Sequence, residues 1–454
     1  MKTMFTRLFS IAAVATLTLG AITVKAQTNS PVLAAAPAAK TTTTDAGTTA
    51  PAEVKKTTKA AEDTSWKPQR RIWGYVFGDL YYNAHADATN RGGENQYNGV
   101  PKYRNAFQFR RIYLGYDYEI TKKFKVELLL ASEPNANTGS FAGATNTIQN
   151  GDNLVDGKMA FWIKNANLRI RDLWNGTDLV IGEMGTPGFA LNEPGTNAPT
   201  SLSEATWGYR SIEKTITDIH KNNSYDLGAA LQGTFDPAVK NFGYVFMVGN
   251  NSTSSLLSAA NNNTGFYKIF YGDLWGKFLN KKLYVDIYAD YVKTSPSSTP
   301  IPDGQNHNMF KIFAAYNTKP ITIGVEAYTQ KFASGVSKAG TPENATAQGF
   351  SVFAKGAISK TLNYFARFDA YQPDTKFDKT ASYTVNTNYG SYNPTVKENF
   401  YTLGLDYQPA KGVHFEPNIW LVNYKDNRDA STTGYVAPDH NLVYRATVYY
   451  VFGK

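Results

Sequence analysis

The side chains that could do chemistry are few and lie far apart along the chain. The sequence has no cysteine, which excludes disulfides, thiolate metal sites and cysteine nucleophiles. None of its histidines forms a ligand pair of recognisable spacing, so the sequence predicts no metal site and no other cofactor. The five histidines are His85, His220, His307, His414 and His440.

Catalytic signatures are also missing. The chain contains no G-x-S-x-G nucleophile elbow, no H-E-x-x-H zinc motif and no Walker loop for phosphates. Asp286 and Asp290 could form a pair of carboxylates for acid–base catalysis. Two solvated charges on one face of a strand explain this spacing more simply, because side chains four apart on a strand share a face. We therefore expect no enzyme.

The charged side chains belong to segments that alternate with a period of two. Between residues 111 and 120, one face carries Ile112, Leu114, Tyr116, Tyr118 and Ile120. The other face carries Arg111, Tyr113, Gly115, Asp117 and Glu119. Such alternation predicts a β-strand with one apolar and one polar face.

This pattern recurs to the end of the chain in about sixteen segments, each near the ten-residue length of a tilted membrane-crossing strand. Short turns such as Thr121–Lys123 alternate with long polar connections such as Ala84–Arg104 and Phe332–Gln348. We therefore predict an all-β fold, a transmembrane antiparallel β-barrel with short periplasmic turns and long extracellular loops.

Composition separates this barrel from a soluble β-sandwich, which would also alternate but with its apolar face turned inward. Aromatic residues make up 14% of the chain, while its mean hydropathy is only −0.39. Tyr291, Tyr407 and Tyr450 lie near the ends of predicted strands, where aromatic girdles mark a membrane interface. These features favour the barrel.

The N-terminal region predicts export. Residues 1–26 have a basic start, an apolar run and small residues before a cleavage point, as in a secretory signal peptide. Residues 27–65 are rich in Ala, Thr, Pro and Lys and are predicted to be a disordered tether. Residues 66–454 are assigned to the barrel, and the expected location is the cell outer membrane, with its lipids as a partner.

The net charge of +9 does not indicate nucleic acid as a partner. Three of the positive charges, Lys2, Arg7 and Lys25, belong to the predicted signal peptide. The others are scattered, without the basic stripe that binding to a phosphate backbone requires.

Three stretches resemble the porin O and P family of phosphate-selective outer-membrane barrels. They are Phe109–Gly115, Ala166–Arg171 and Leu179–Phe189. The resemblance implies a sixteen-stranded barrel, often a homotrimer, in which the loop after residue 185 folds into the lumen as a constriction. It also implies selectivity for anions or phosphate. The inward positions of this chain, however, predict a mixture of basic and acidic side chains, and such a mixture predicts weak selectivity.

The segment from 185 to 220 is the strongest candidate for a functional site. Pro187, Pro194 and Pro199 forbid a regular central strand there, so it is either an ordinary extracellular loop or an irregular segment lining the lumen. If it turns inward, its charges face arginines of the wall. The predicted pore-lining and constriction residues are Arg111, Arg169, Arg171, Glu183, Glu193, Glu204, Arg210 and Lys214.

The function expected from these patterns is that of a porin, a water-filled channel for the passive diffusion of small polar solutes or ions. The alternative is a barrel that acts as a surface adhesin or receptor through its long loops. Loops rich in Tyr, Asn, Gly and Thr, such as Thr380–Pro394, would suit contacts with glycans or proteins.

Overall fold

The structure is a computed structural model. It describes residues 66–91, 97, 99–133, 154–155, 158–159, 161–189, 202–220, 224–250, 268–292, 307–339, 341–380, 383–385 and 393–453. These residues belong to one compact unit, Asp63–Lys454. The predicted signal peptide and tether lie outside the described residues.

A single antiparallel sheet forms the wall of a closed barrel. Its 17 strands include Tyr383–Val385, a short addition to the end of one long strand, and the remaining sixteen each pair with the next in sequence. The wall strands are β1 (Arg70–His85), β2 (Asn105–Glu119), β3 (Phe124–Ser132), β4 (Trp162–Trp174), β5 (Thr177–Gly185), β6 (Tyr225–Thr234), β7 (Phe242–Gly249), β8 (Ile269–Phe278), β9 (Leu283–Val292), β10 (His307–Asn317), β11 (Ile321–Lys338), β12 (Thr341–Ala357), β13 (Leu362–Gln372), β14 (Val396–Ala410), β15 (Val413–Asp426) and β16 (Asp439–Phe452). Because β16 also pairs with β1, the sheet has no free edge, and the predicted barrel is confirmed.

Alternation along each strand gives the wall an apolar outer face and a polar inner face. On β9, Ile287 is 43% exposed while Tyr288 next to it is 0% exposed. On β14, Leu403 is 59% exposed and Thr402 only 4%. Large apolar side chains on the outside of a closed barrel are what a bilayer requires.

Several β-bulges interrupt the alternation in the described strands, and two of them turn an extra cation inwards. In the pairing of β1 with β2, Phe77 lies opposite Arg111 and Gly78 opposite Phe109, so Arg110 is an extra residue. Arg110 and Arg111 are consequently both turned inward and buried.

The second bulge lies between β3 and β4. Leu129 pairs with Asn165 and Leu130 with Ile163, which leaves Lys164 as the extra residue. Lys164 and Asn165 are both buried on the inner side of the wall. Each bulge thus adds one cation to the lumen that a strict period of two would place outside.

Short turns join the strands at one end of the barrel, for example at residues 120–123, 279–282 and 411–412. At the other end most connections are long. The prediction of a long loop over Phe332–Gln348 is wrong, because most of these residues belong to two strands. There β11 and β12 continue, with Lys338 paired to Thr341. The inward side chains Phe332, Val336 and Ala345 pack together. Many of the outward positions are polar, and this is why the sequence pattern predicted a loop there.

An irregular segment follows β5. It contains a 3-10 turn (Pro187–Phe189) and two short helices, α1 (Leu202–Trp207) and α2 (Ile216–His220). No helix among the described residues is both long and apolar enough to cross a membrane. We call the described residues 202–220 the inner segment, because their partners lie on the inner face of the wall.

Candidate functional site

Apolar packing seats the inner segment against one side of the barrel interior. Leu202, Trp207, Tyr209 and Ile212 form a buried cluster with the inward side chains of four wall strands. The wall members of this cluster are Trp275, Phe313, Ala315, Phe353 and Phe365. The ring centroids of Trp207 and Phe353 are 5.3 Å apart, within the range of favourable aromatic pairs.

Basic side chains of the wall hold the main chain of the inner segment. The Lys355 Nζ atom donates to the Trp207 carbonyl at 3.1 Å, and Arg445 donates to the Ile212 carbonyl at 3.0 Å. Arg110 of the first bulge donates to the carbonyl of Ser211. Irregular backbone at this depth needs such partners, because it has no strand or helix ladder of its own.

A fourth basic contact and several acidic ones complete the attachment. Arg367 donates to the Lys214 carbonyl at 2.5 Å. Asp286 accepts from the Leu202 amide at 2.6 Å, and Glu416 accepts from the Ser211 hydroxyl at 2.6 Å. These hydrogen bonds come from the strands β2, β9, β12, β13, β15 and β16, and they fix the inner segment inside the barrel.

A charged cluster lies where the inner segment faces β2, β3 and β4. Arg210 bridges Glu204 at 3.0 Å and Asp218 at 3.1 Å, so the two helices are joined by one guanidinium group. Lys214 lies within electrostatic range of Asp218. Burial acts to raise the pKa of Asp218, but Lys214 and Arg210 outweigh it and lower the pKa.

The wall completes this cluster with Glu133, Arg111 and Lys164. The Arg111 Nε atom is 3.9 Å from the Glu133 carboxylate, and Lys164 contacts the same carboxylate. Burial acts to raise the pKa of Glu133, but Arg111, Lys164 and Lys214 lower it to about 2. We call these seven side chains the eyelet cluster: Arg111, Glu133, Lys164, Glu204, Arg210, Lys214 and Asp218.

Four of the residues predicted from sequence meet in the eyelet cluster, namely Arg111, Glu204, Arg210 and Lys214. Glu183 lies on the inner side of β5 and is 9% exposed. Glu193 lies outside the described residues.

Arg169 and Arg171 contact acidic side chains near the short-turn end of the wall. The Arg169 guanidinium is 3.4 Å from Glu127 and 3.2 Å from Asp178. Arg171 is 2.5 Å from Glu119. Both arginines therefore have partners within the wall itself.

Sequence reasoning missed Arg110, Lys164, Glu133 and Asp218 as parts of the site. One signal was present for the two bulge residues. In a strand with one polar face, two consecutive polar residues such as Arg110 and Arg111 break the period and indicate a bulge.

Comparison with known proteins supports the fold through structure alone. No family model and no curated protein matches the chain. The chain is similar to the outer membrane channel DcaP of Acinetobacter baumannii, with a TM-score of 0.52, 13% identity, and coverage of 85% of this chain and 97% of that one. It also matches the anion-selective porin from Comamonas acidovorans (TM-score 0.49, 12% identity, 85% and 100% covered) and Salmonella typhi OmpF in complex with daunomycin (0.48, 12%, 84% and 97%). At 13% identity the likeness to DcaP is one of architecture, and the chain shares the barrel fold of that outer membrane channel.

Proposed function

We propose that the chain is a porin of the outer membrane, a water-filled channel through which small polar solutes or ions diffuse passively. The observation that carries this proposal is the inner segment, held across the inside of a closed barrel whose outer face is apolar. A barrel that only displayed loops would not require an anchored segment within its lumen. The outer membrane channel DcaP, whose fold this chain shares, supports the same function.

The eyelet cluster supports a weak preference for anions. It holds four cationic side chains (Arg111, Lys164, Arg210, Lys214) and three acidic ones (Glu133, Glu204, Asp218), several of them paired. We place the narrowest ring of the channel at this cluster, where the inner segment approaches β2, β3 and β4, and the sign of the charges at the narrowest ring sets ion preference. A nearly balanced ring favours anions slightly and gives no basis for strict phosphate selectivity.

The orientation and assembly follow from the same function. The short turns would face the periplasm and the long connections the cell exterior, as in barrels of this type. The outer belt would contact lipid, and a homotrimer is the assembly implied by the resemblance to porins O and P. Passive diffusion needs no catalysis, so we propose a channel and not an enzyme.

Conductance in a planar bilayer tests the proposal. The purified full-length protein should produce stepwise, ohmic openings in KCl, and a KCl gradient should give a small reversal potential of the sign that indicates anion preference. A protein that inserts but never conducts would contradict the pore, and a strong cation preference would contradict the role of the eyelet cluster.

Charge removal tests the eyelet cluster itself. The double variant Arg111→Gln and Lys214→Gln leaves an excess of acidic side chains, so its reversal potential should shift towards cation preference. Arg71→Gln is the matched control, because Arg71 pairs with Asp117 and its side chain is 36% exposed. Equal shifts in both proteins, or no shift in either, would place the selective ring elsewhere.

A further inference from the structure

A cavity lies beneath the inner segment at the short-turn end of the barrel. Its volume is about 360 Å³, and its boundary includes Tyr209 above and the turn residues Thr318 and Lys319 below. Three further residues of its lining, Asp406, His414 and Glu416, are metal-ligating types. They take no part in the eyelet cluster.

These three side chains are brought together by strand pairing. Gly404 pairs with Asn418 and Tyr407 with Phe415, which places Asp406 of β14 directly opposite Glu416 of β15. His414 is two residues from Glu416 on the same strand and so shares its inward face. A histidine and two carboxylates thus form one patch of the wall, which we call the Asp–His–Glu triad.

The spacing within the triad fits a metal ion. The His414 Nδ1 atom is 2.9 Å from the Asp406 Oδ1 atom. One ligand atom from each of the three residues lies within 4.8 Å of the others. Nitrogen and oxygen ligands bind zinc at about 2.0–2.2 Å, which puts neighbouring ligand atoms about 3 Å apart. An ion can therefore take the place of the hydrogen bond between His414 and Asp406.

Hydrogen bonds from outside the triad already orient its carboxylates. The Tyr209 hydroxyl donates to Asp406 Oδ2 at 3.3 Å, and the Gln408 amide donates to the same atom at 2.5 Å. Ser211 donates to Glu416 Oε2 at 2.6 Å. Each of these contacts uses the second oxygen of its carboxylate and leaves the first for a ligand bond, as in the outer shell of metal sites.

We propose that the Asp–His–Glu triad binds one divalent first-row transition-metal ion of the Zn²⁺ type. One imidazole nitrogen and two carboxylate oxygens form a mixed set that suits Zn²⁺ or Ni²⁺ better than Mg²⁺ or Ca²⁺, which prefer oxygen alone. Water in the cavity completes the coordination. The ion enters through the cavity from the short-turn end, and its binding does not require that the barrel conduct.

A bound ion has a consequence for the inner segment. Tyr209 and Ser211, which orient the two carboxylates, belong to that segment. Fixing the carboxylates also fixes these two hydrogen bonds, so the ion ties the inner segment more firmly to β14 and β15. Zn²⁺ should therefore raise the unfolding midpoint, since it binds the folded chain and not the separated strands.

A second cluster provides the matched control. His85, Asp439 and His440 also lie close enough to share an ion. However, the two imidazole rings stack at 3.9 Å with an angle of 9° between their planes, and His85 Nδ1 already contacts the His440 carbonyl at 2.8 Å. The Nδ1 atoms of both histidines lie 3.7 Å from the same Asp439 oxygen. This separation is wider than the 2.9 Å between His414 and Asp406, so we place the ion at the triad.

Calorimetric titration of the full-length protein in detergent with ZnCl₂ tests the proposal, and Co²⁺ gives an independent readout through its visible absorption spectrum. The wild-type protein should bind one ion. His414→Gln and Glu416→Gln should each weaken binding more than about tenfold and change the Co²⁺ spectrum, whereas His440→Gln should leave both unchanged.

Three outcomes overturn the proposal: no binding by the wild-type protein, unchanged binding by both triad variants, or loss of binding in His440→Gln instead. The size of a folded barrel on an unheated gel shows whether each variant has folded. Two triad variants are used so that misfolding of one does not remove the test. Failure to conduct in a bilayer would count against the porin function alone, because the titration does not depend on it.

Discussion

The inner wall of this barrel contains many buried charges, and their pairing determines what each contributes. Asp79 of β1 is 3% exposed. Its carboxylate accepts from Arg110, and from Thr447 of β16 at 2.5 Å. A buried ion pair adds little net stability over an apolar pair, but removing one partner leaves an uncompensated charge that costs several kcal/mol. The bulge at Arg110 therefore supplies the cation that pairs directly with Asp79, and Arg445 is a second cation that acts on the same carboxylate.

Arg110→Met should destabilise the barrel by about 3 kcal/mol, because it removes the ion-pair partner of the buried Asp79 carboxylate and the donor to the Ser211 carbonyl. Arg71→Met is the matched control and should lose no more than about 1 kcal/mol, since the Arg71–Asp117 pair at 2.6 Å lies at a half-exposed position. Unfolding in urea, followed by tryptophan fluorescence, measures both. Similar losses for the two variants would show that Asp79 is solvated in the lumen.

Individual residues also show how far the sequence can lead. The period of two correctly assigned Arg111 to the inner face, because the rest of β2 keeps the alternation. A strict period of two assigns Arg110 and Lys164 to the outer face, and only the run of consecutive polar residues at each position indicates the bulge that turns them inwards. Contacts across the lumen, such as that between Arg445 and the Ile212 carbonyl, join positions 233 residues apart and have no signature in local sequence.

At the scale of elements, the inner segment depends on its surroundings for its structure. Its helices have six and five residues, too short to be stable alone, because helices below about 12 residues are marginal in water. The prolines of the sequence predict a break in the wall, but not these helices. They form because Asp286 and Glu326 of the wall accept hydrogen bonds from the first residues of α1 and α2.

The last residue of α2 makes this attachment sensitive to acid. The His220 ring stacks on Tyr371 of β13 at 3.7 Å with an angle of 5° between the planes. Burial, and then the positive charge of Arg367, lower the pKa of His220 to about 3. Because the unfolded pKa is about 6.5, the group is neutral in both states at pH 7 and contributes nothing there. Below pH 6.5 the unfolded state takes up a proton that the folded state does not, so stability falls until about pH 3.

Between pH 7 and pH 5 the wild-type protein should therefore lose about 1–2 kcal/mol more stability than His220→Gln. The upper end of this range is the full linkage value between these two pH values, and water in the lumen screens the charge and moves the loss towards the lower end. Urea unfolding at the two pH values measures the difference, and the other titrating groups are common to both proteins. His85→Gln, at the rim of the barrel, is the control and should follow the wild type. Identical pH dependence in the wild type and His220→Gln would show that the His220 ring titrates normally.

At the scale of the whole molecule, alternation was sufficient to predict the barrel, because every wall strand has to present one face to lipid and one to the lumen. The alternation did not predict the outer ends of β11 and β12. In the structure β11 continues to Lys338, and β12 begins at Thr341. There the outward side chains are largely polar, so the apolar face that marks a membrane strand is missing. The predicted signal peptide and tether stay predictions, since they lie outside the described residues.

Closure of the barrel depends on the last strand, which also carries inner contacts. Gly74 to Leu80 of β1 pair with Phe452 to Ala446 of β16. The opposite edge of β16 pairs with β15 from Asp439 to Tyr450. A chain ending at Tyr444 would leave two unpaired strand edges at membrane depth, where each unsatisfied backbone group costs several kcal/mol.

Truncation after Tyr444 should consequently prevent assembly. We expect no compact species on an unheated gel, no protease-resistant core and no conductance, because β1 and β15 lose the partner that joins them and an open edge favours aggregation. Deletion of Lys454 alone is the control and should leave all three properties unchanged, since β16 ends at Phe452. A truncated chain that still forms the compact species would mean that β15 pairs directly with β1 in a smaller barrel. Conductance below that of the full-length protein would then reveal the narrower lumen.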